Sequence, residues 1–252
     1  MAQPFLSIII PAHNEAERLP LTLIDLDKYL SGRDFSYEVF VVNDGSDDAT
    51  AKIVESFSHT MKNLKLIHNE EHKGKGAAVR QGMLLAKGKL RATIDADNSL
   101  DLQHIEEALP HFKSGAHVVV GVRHRNSKIW PALPPHRQLV ERLNNFIAGP
   151  MFFGGFKNGL TDAGSGFKVF SDEAVENIFP KAMLAGWGSD FEVLALAKSL
   201  GYEIKELPVF WTHDSSKQIP GKGYLQILAD MAKIRWWLSR DSYGIKNTKQ
   251  EI

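Results

Sequence analysis

Leu90-Arg91-Ala92-Thr93-Ile94-Asp95-Ala96-Asp97 carries an apolar run straight into two carboxylates one residue apart. Read as a strand over residues 90–95, it places side chains i and i+2 on the same side. Asp95 and Asp97 can then face one hard cation and the phosphates it bridges, the usual arrangement for Mg²⁺ or Mn²⁺. An aspartate-rich surface turn would look the same in isolation, so the neighbouring segments must decide.

On both sides of this stretch, short β-branched runs alternate with longer helical spacings. Strands are expected at 6–11, 37–43, 64–68 and 117–122, and helices at 17–30, 48–57, 76–86 and 102–109, with Asp47 or Asp48 and Asp101 as N-caps. Such alternation is the pattern of a parallel sheet with crossover helices, an α/β fold. Polar residues gather where the strands end: Asn14 and Glu15, Asn43 and Asp44, Asp95 and Asp97, and Arg123. Ligands of open α/β sheets bind outside the carboxyl ends of the strands, so these strand ends are expected to converge on one site.

Composition narrows the partners. Thirty Lys and Arg balance thirty Asp and Glu over 252 residues, so the overall charge does not point to nucleic acid, and anion binding must be local. The chain has no cysteine, which removes disulfides and thiolate ligands and leaves oxygen or imidazole for any metal. Residues 5–10 run into Pro11 with no basic segment before them, a strand rather than a signal peptide. No apolar window approaches the length of a membrane span. A cytoplasmic protein, or one peripheral on the cytoplasmic face of a membrane, is expected.

Two further segments carry anion chemistry. Asn43-Asp44-Gly45-Ser46-Asp47-Asp48-Ala49-Thr50 opens a helix, and Asp44 stands one step earlier than any cap, where a carboxylate can accept from a ribose or a base. Lys73-Gly74-Lys75-Gly76-Ala77-Ala78-Val79-Arg80 is a basic, glycine-rich helix start suited to phosphate or a charged nucleotide edge. It is neither a Walker loop nor a full dinucleotide fingerprint, because Val79 stands where the third glycine would be.

Together with Ser7-Ile8-Ile9-Ile10-Pro11-Ala12-His13-Asn14-Glu15, these motifs resemble, in order, those of the family 2 inverting glycosyltransferases. Asp162-Ala163-Gly164-Ser165-Gly166-Phe167-Lys168, Asp190-Phe191-Glu192, and Trp211 followed by Ser216-Lys217 are similar to the dolichyl-phosphate β-glucosyltransferase branch and related polyprenyl-phosphate sugar synthases. The chain departs from that branch at Ala163-Gly164-Ser165, where a Thr-Gln-Cys-like run is usual. The resemblance implies a glycosyltransferase A-type fold, a mostly parallel central sheet with helices on both faces. It implies a UDP-glucose donor, with GDP-mannose as the alternative, and Mg²⁺ or Mn²⁺ held by Asp97 with Ser99. By the same resemblance Pro11, Ala12, Glu15 and Asp44 hold the nucleoside, Lys75 the base or ribose edge, and Asp95 the ribose or sugar.

Residues 1–241 are expected to form one catalytic domain, with a nucleotide-sugar half at 1–125, an acceptor half at 126–221 and an amphipathic helix at 222–241, followed by a polar tail at 242–252. The acceptor half starts with a proline-rich loop at 130–135 and a helix at 137–153, then gives strands at 167–170 and 203–210 and a helix at 191–200. A polyprenyl phosphate acceptor is already an anion and needs cations more than a base; Arg123, Arg137, Lys168 and Lys217 are the candidates. A hydroxyl acceptor on a soluble compound would instead need a base, Asp162 or Asp190. Asp97, Asp162, Asp190 and Arg123 are thus the catalytic candidates, although Asp190 could equally cap the helix after it. Trp187 could border the sugar or plug the core. The Trp-rich helix at 224–239 could lie in a headgroup layer, giving peripheral membrane contact, or pack on the core. A non-catalytic nucleotide-sugar-binding protein is the remaining alternative.

Overall fold

Leu6, Ile8, Ile9 and Ile10 are all fully buried, and a strand covered on both faces has no polar side to alternate. The computed structural model describes residues 3–123, 160, 162–211 and 221–248. Within them, strands β1 (Leu6–Ala12), β2 (Tyr37–Asp44), β3 (Leu64–Asn69), β4 (Leu90–Thr93), β5 (Val118–Arg123), β6 (Lys168–Ser171) and β7 (Ile204–Val209) form one sheet in the order β3-β2-β1-β4-β6-β5-β7. The β1–β2, β2–β3, β1–β4 and β5–β7 pairs are parallel, and β6 alone runs against its neighbours β4 and β5. The expected mostly parallel sheet is what forms.

Helices cover both faces. Helices α1 (Leu19–Ser31), α2 (Thr50–Ser58) and α4 (Gln103–Lys113) pack with Leu6, Ile8, Ile10, Val39 and Val41 on one side. Helices α3 (Lys75–Leu85), α5 (Asp172–Ile178), α6 (Ser189–Leu200), α7 (Gly221–Ser239) and the short α8 (Ile245–Thr248) pack with Ile9, Val42, Val118, Val120 and Phe170 on the other. Helix α4 runs on through Pro110, four residues past its expected end. Arg91, buried in β4, caps the end of α3 by donating to the Met83 carbonyl at 3.1 Å, which explains a charge inside an apolar strand.

Several expectations need correction. Strand β4 stops at Thr93, so Asp97 stands in a turn rather than on an extended strand; Asn98 takes a left-handed φ of 54° and the Asp97 carboxylate accepts the Ser99 N–H at 3.2 Å. The cap of α2 falls at Ala49, though Asp48 still accepts the Thr50 N–H at 2.8 Å from one residue further out. Asp101 does the same for Gln103 at 3.0 Å. Asp190 is no cap, because α6 begins at Ser189 behind Gly188. Residues 242–248 are not a polar tail: Tyr243 and Ile245 are buried in the core. The proline-rich loop at 130–135 and the helix expected at 137–153 lie outside the described residues.

Helix α7 packs on the core through Ile227, Met231 and Ile234, while Leu225 and Trp236 face outward. Among the described residues no helix is long and apolar enough to cross a membrane.

Candidate active site

The carboxyl ends of β1, β2 and β4 share one rim of the sheet, and antiparallel β6 brings its opposite end, with Gly166 and Lys168, to the same place. Asp44 closes β2 and is buried. Its carboxylate accepts the Lys73 and Gly74 N–H groups at 3.0 and 2.7 Å and pairs with His72 Nδ1 at 2.9 Å, so it braces the glycine-rich loop against β2. Gly45 follows with φ of 64°, where a Cβ would run into the His72 backbone. His13 Nδ1 donates to the Asp44 carbonyl at 2.7 Å, and its ring lies 4.0 Å from that of His72. Neither histidine was singled out from sequence; their positions, one directly after Ala12 and the other just before the glycine-rich loop, are the signal that could have found them.

Glu15 takes the Arg18 guanidinium through two bonds, at 2.8 and 2.6 Å, and its backbone N–H is held by Thr50. Pro11 and Ala12 form the end of β1 beside it.

Four charged side chains interleave at the centre. Lys75, first residue of α3, binds Asp95 at 2.6 Å. Burial alone would lower the Lys75 pKa, but Asp95, Asp190 and Asp97 together outweigh it and hold the ammonium charged well above its usual range. Lys168, fully buried in β6, binds Asp190 at 2.6 Å and also donates to the Ser165 carbonyl. Gly166 lies against the Asp95 carboxylate, which a Cβ here would displace. These four side chains share a crevice that Val79, Phe170, Phe179 and Leu184 also line.

Desolvation and then the neighbouring charge of Asp95 push the Asp97 carboxyl upward, against hydrogen bonds from Ser99. Ser99 is itself buried, with its hydroxyl 2.5 Å from Asp97. Two crowded carboxylates and a hydroxyl are a hard-oxygen donor set, and a divalent cation would relieve their repulsion. Among the described residues no group of three or more His, Cys, Asp or Glu gathers in one place.

Asp162 is buried on the segment leading to β6, and Arg123 closes β5. Trp211 bridges to Leu100, directly after Ser99, and so ties the end of β7 to the aspartate turn. The structure therefore brings Pro11, Ala12, Glu15, Asp44, Lys75, Asp95, Asp97, Ser99, Lys168 and Asp190 to one rim. Arg137 and Lys217 lie outside the described residues.

Residues 7–179 match the family described as glycosyl transferase family 2. The chain is 32% identical over 251 residues to a dolichyl-phosphate beta-glucosyltransferase of Dictyostelium discoideum, covering 92% of this chain and 74% of that protein. It is 29% identical to the Homo sapiens dolichyl-phosphate beta-glucosyltransferase, covering 97% and 79%. Among solved structures, glucosyl-3-phosphoglycerate synthase from Mycobacterium tuberculosis, in complex with Mn²⁺, UDP and glucosyl-3-phosphoglycerate, superposes with a TM-score of 0.67 at 18% identity over 92% of this chain and 80% of that one. Residues 1–349 of TarS from S. aureus give 0.57 at 19% identity, covering 94% and 73%. Both likenesses establish the glycosyltransferase A-type fold.

Proposed function

The chain belongs to glycosyl transferase family 2, and from that premise we propose that it transfers glucose from UDP-glucose, with inversion, to a polyprenyl phosphate of the dolichyl type. The observation that carries this reading is the similarity to dolichyl-phosphate beta-glucosyltransferases over 92% of the chain, with Asp44, Lys75, Asp95 and Asp97 of this chain drawn to one rim.

Transfer forms a bond between an acceptor phosphate oxygen and the anomeric carbon while the bond to the nucleotide diphosphate breaks on the opposite side. Asp97, with Ser99, would hold Mg²⁺ or Mn²⁺. When bound, the cation supplies positive charge to the departing diphosphate. Pro11, Ala12, Glu15 and Asp44 line the nucleoside end; Lys75, expected at the base or ribose edge, is paired with Asp95 at 2.6 Å and is read with it at the ribose and sugar end. Asp95 has Lys75 at 2.6 Å and Gly166 against its back, so its carboxylate is fixed before substrate arrives.

A phosphate acceptor brings its own negative charge, so no base has to deprotonate it. Asp190, spent on Lys168, is then a fixed negative charge that keeps the Lys75–Asp95 pair in register rather than a proton acceptor. Because the Lys168 ammonium is taken up by Asp190 and Ser165, acceptor binding falls chiefly to Arg123, Arg137 and Lys217. An acceptor with a polyprenyl tail would bring the reaction to a membrane surface, for which the cytoplasmic face is our reading, and the outward Trp236, stacked at 4.7 Å under Arg240, suits a headgroup layer.

The test is product formation from UDP-glucose and GDP-mannose, each with a short-chain polyprenyl phosphate and Mg²⁺ or Mn²⁺. A lipid-linked glucose from UDP-glucose alone is expected. Metal-dependent donor hydrolysis without lipid product would move the acceptor to a soluble compound and return Asp162 and Asp190 to the role of base.

A further inference from the structure

Trp187 does not plug the core. It is 42% exposed, and its ring centre lies 5.9 Å from the Lys75 ammonium, which in turn binds Asp95 at 2.6 Å. A single lysine side chain thus separates the indole from the carboxylates of the site.

The segment that carries it is fastened from several sides. Arg80 of α3 donates to the Phe179 carbonyl at 2.8 Å and to that of Pro180 at 3.3 Å. Ala77, in the first turn of α3, donates to the Ala185 carbonyl at 3.1 Å. The buried Glu192 carboxylate accepts the Met183 and Leu184 N–H groups, both at 2.9 Å, and is itself held by the Tyr243 hydroxyl at 2.9 Å. Gly188 sits against Asp230 of α7 so closely that a Cβ would come within 2.5 Å of that side chain. An exposed indole on a mobile loop would need no explanation; one held this firmly at the rim of a site does.

Its place on the rim selects what it faces. Asp44, at the nucleoside end, closes β2, while Asp95 follows β4, and β1 lies between them. Trp187 reaches the rim through Lys75, whose ammonium binds Asp95, while the residues before it rest on the glycine-rich loop at Gly74; the indole is thus tied to the Asp95 end of the rim. An isoprenoid tail is a poor occupant, because covering the Lys75–Asp95 pair with hydrocarbon would strip water from both charges. A hexose satisfies both surfaces, with hydroxyls at its edge and a C–H face that an indole covers.

We propose that Trp187 is a specificity-determining wall of the sugar subsite, its indole covering the C–H face of the transferred hexose while Lys75 and Asp95 hold the hydroxyl edge. This rests on the UDP-glucose reading above. Glu192 and Tyr243 are positioning residues that fix the wall from beneath.

The test compares UDP and UDP-glucose binding by calorimetry, with Mn²⁺, in wild type, Trp187→Ala, Trp187→Phe and Tyr243→Phe. An aromatic contact of about 0.5–1.5 kcal/mol corresponds to roughly 2–12-fold, so Trp187→Ala should weaken UDP-glucose by about that factor. UDP binding should stay unchanged, Trp187→Phe should recover most of the loss, and Tyr243→Phe should show a smaller loss of the same kind. Equal weakening of UDP and UDP-glucose, or a rise confined to the acceptor KM, would overturn the proposal. So would a Trp187→Ala variant indistinguishable from a wild type that binds and uses UDP-glucose, and in that case the proposed function stands. A wild type that binds UDP but not UDP-glucose, and transfers glucose to nothing, removes the function and this subsite with it.

Discussion

The two faces of the sheet are built of different material. The face under α1, α2 and α4 is almost wholly apolar and mainly aliphatic at its centre, with Leu19, Leu23, Leu26 and Leu30 of α1 fully buried over Ile8 and Ile10. The face under α3, α5, α6 and α7 buries Lys168, Glu192 and Asp230 among its apolar residues. Each charge there has a partner: Lys168 has Asp190, Glu192 has Tyr243 and two backbone N–H groups, and Asp230 has Lys233 and Gln226. Buried ions rarely stabilise a fold better than hydrocarbon of the same volume. One face therefore holds the sheet together, while the other holds the side chains of the rim in position.

The rim itself sets the scale for breaking this division. Asp97→Ala should cut kcat/KM by about 10³-fold or more, the loss of leaving-group charge neutralisation, with little change in the melting temperature. On the charged face, Lys168→Met should cost about 2–4 kcal/mol in urea unfolding, because the partly buried Asp190 is left without its cation, and the added Asp190→Leu should recover most of it. A neutral single variant would show that the pair does not hold. On the aliphatic face, Leu26→Ala should cost about 3 kcal/mol and leave kcat/KM unchanged; an equal loss of activity would erase the distinction between the faces.

Glu192 sharpens the comparison through pH. Burial is the largest influence on its carboxyl and, with Asp230, raises the pKa above that of an ordinary glutamate despite the bonds from Met183, Leu184 and Tyr243. A raised pKa in the folded state means that this group's contribution to stability is full below the ordinary glutamate range and is lost as pH rises through the raised value. Glu192→Gln should cost about 1–3 kcal/mol by setting an amide N–H against a backbone donor, and the cost should shrink as pH rises across that window in urea titrations between acid and neutral pH. A pH-independent difference would mean that Glu192 does not titrate there. Outside both faces, Trp236→Ser should change stability by no more than about 0.5 kcal/mol.

The aliphatic face and the strand ends were largely legible in the sequence, because each depends on neighbours within a few positions. Doubly apolar runs announced β1, β2 and β5, and the polar residues that end those runs put Asp44 and Asp95 at the strand ends. The charged face was not legible in the same way. Lys168 and Asp190 were each singled out, but as an acceptor cation and a base, since nothing local shows that an antiparallel β6 will bring them together. Hydrophobic period tells how many faces of a strand are covered and is silent on its direction or its neighbour. The same limit explains Asp97, whose turn is set by Asn98 rather than by the strand before it, and Tyr243, whose burial depends on a carboxylate far away in α6.

The reversed strand β6 also dictates an order of assembly on the ribosome. Strands β1 to β4 can join as soon as they emerge, but among the described residues β5 pairs only with β6 and β7, both encoded downstream. Until residue 171 clears the exit tunnel, Val118-Val119-Val120 has no partner and β4 presents an open edge. Every nascent copy thus passes through a stage with two unpaired strand edges, the state in which chains cross-pair and in which a holding chaperone is of most use.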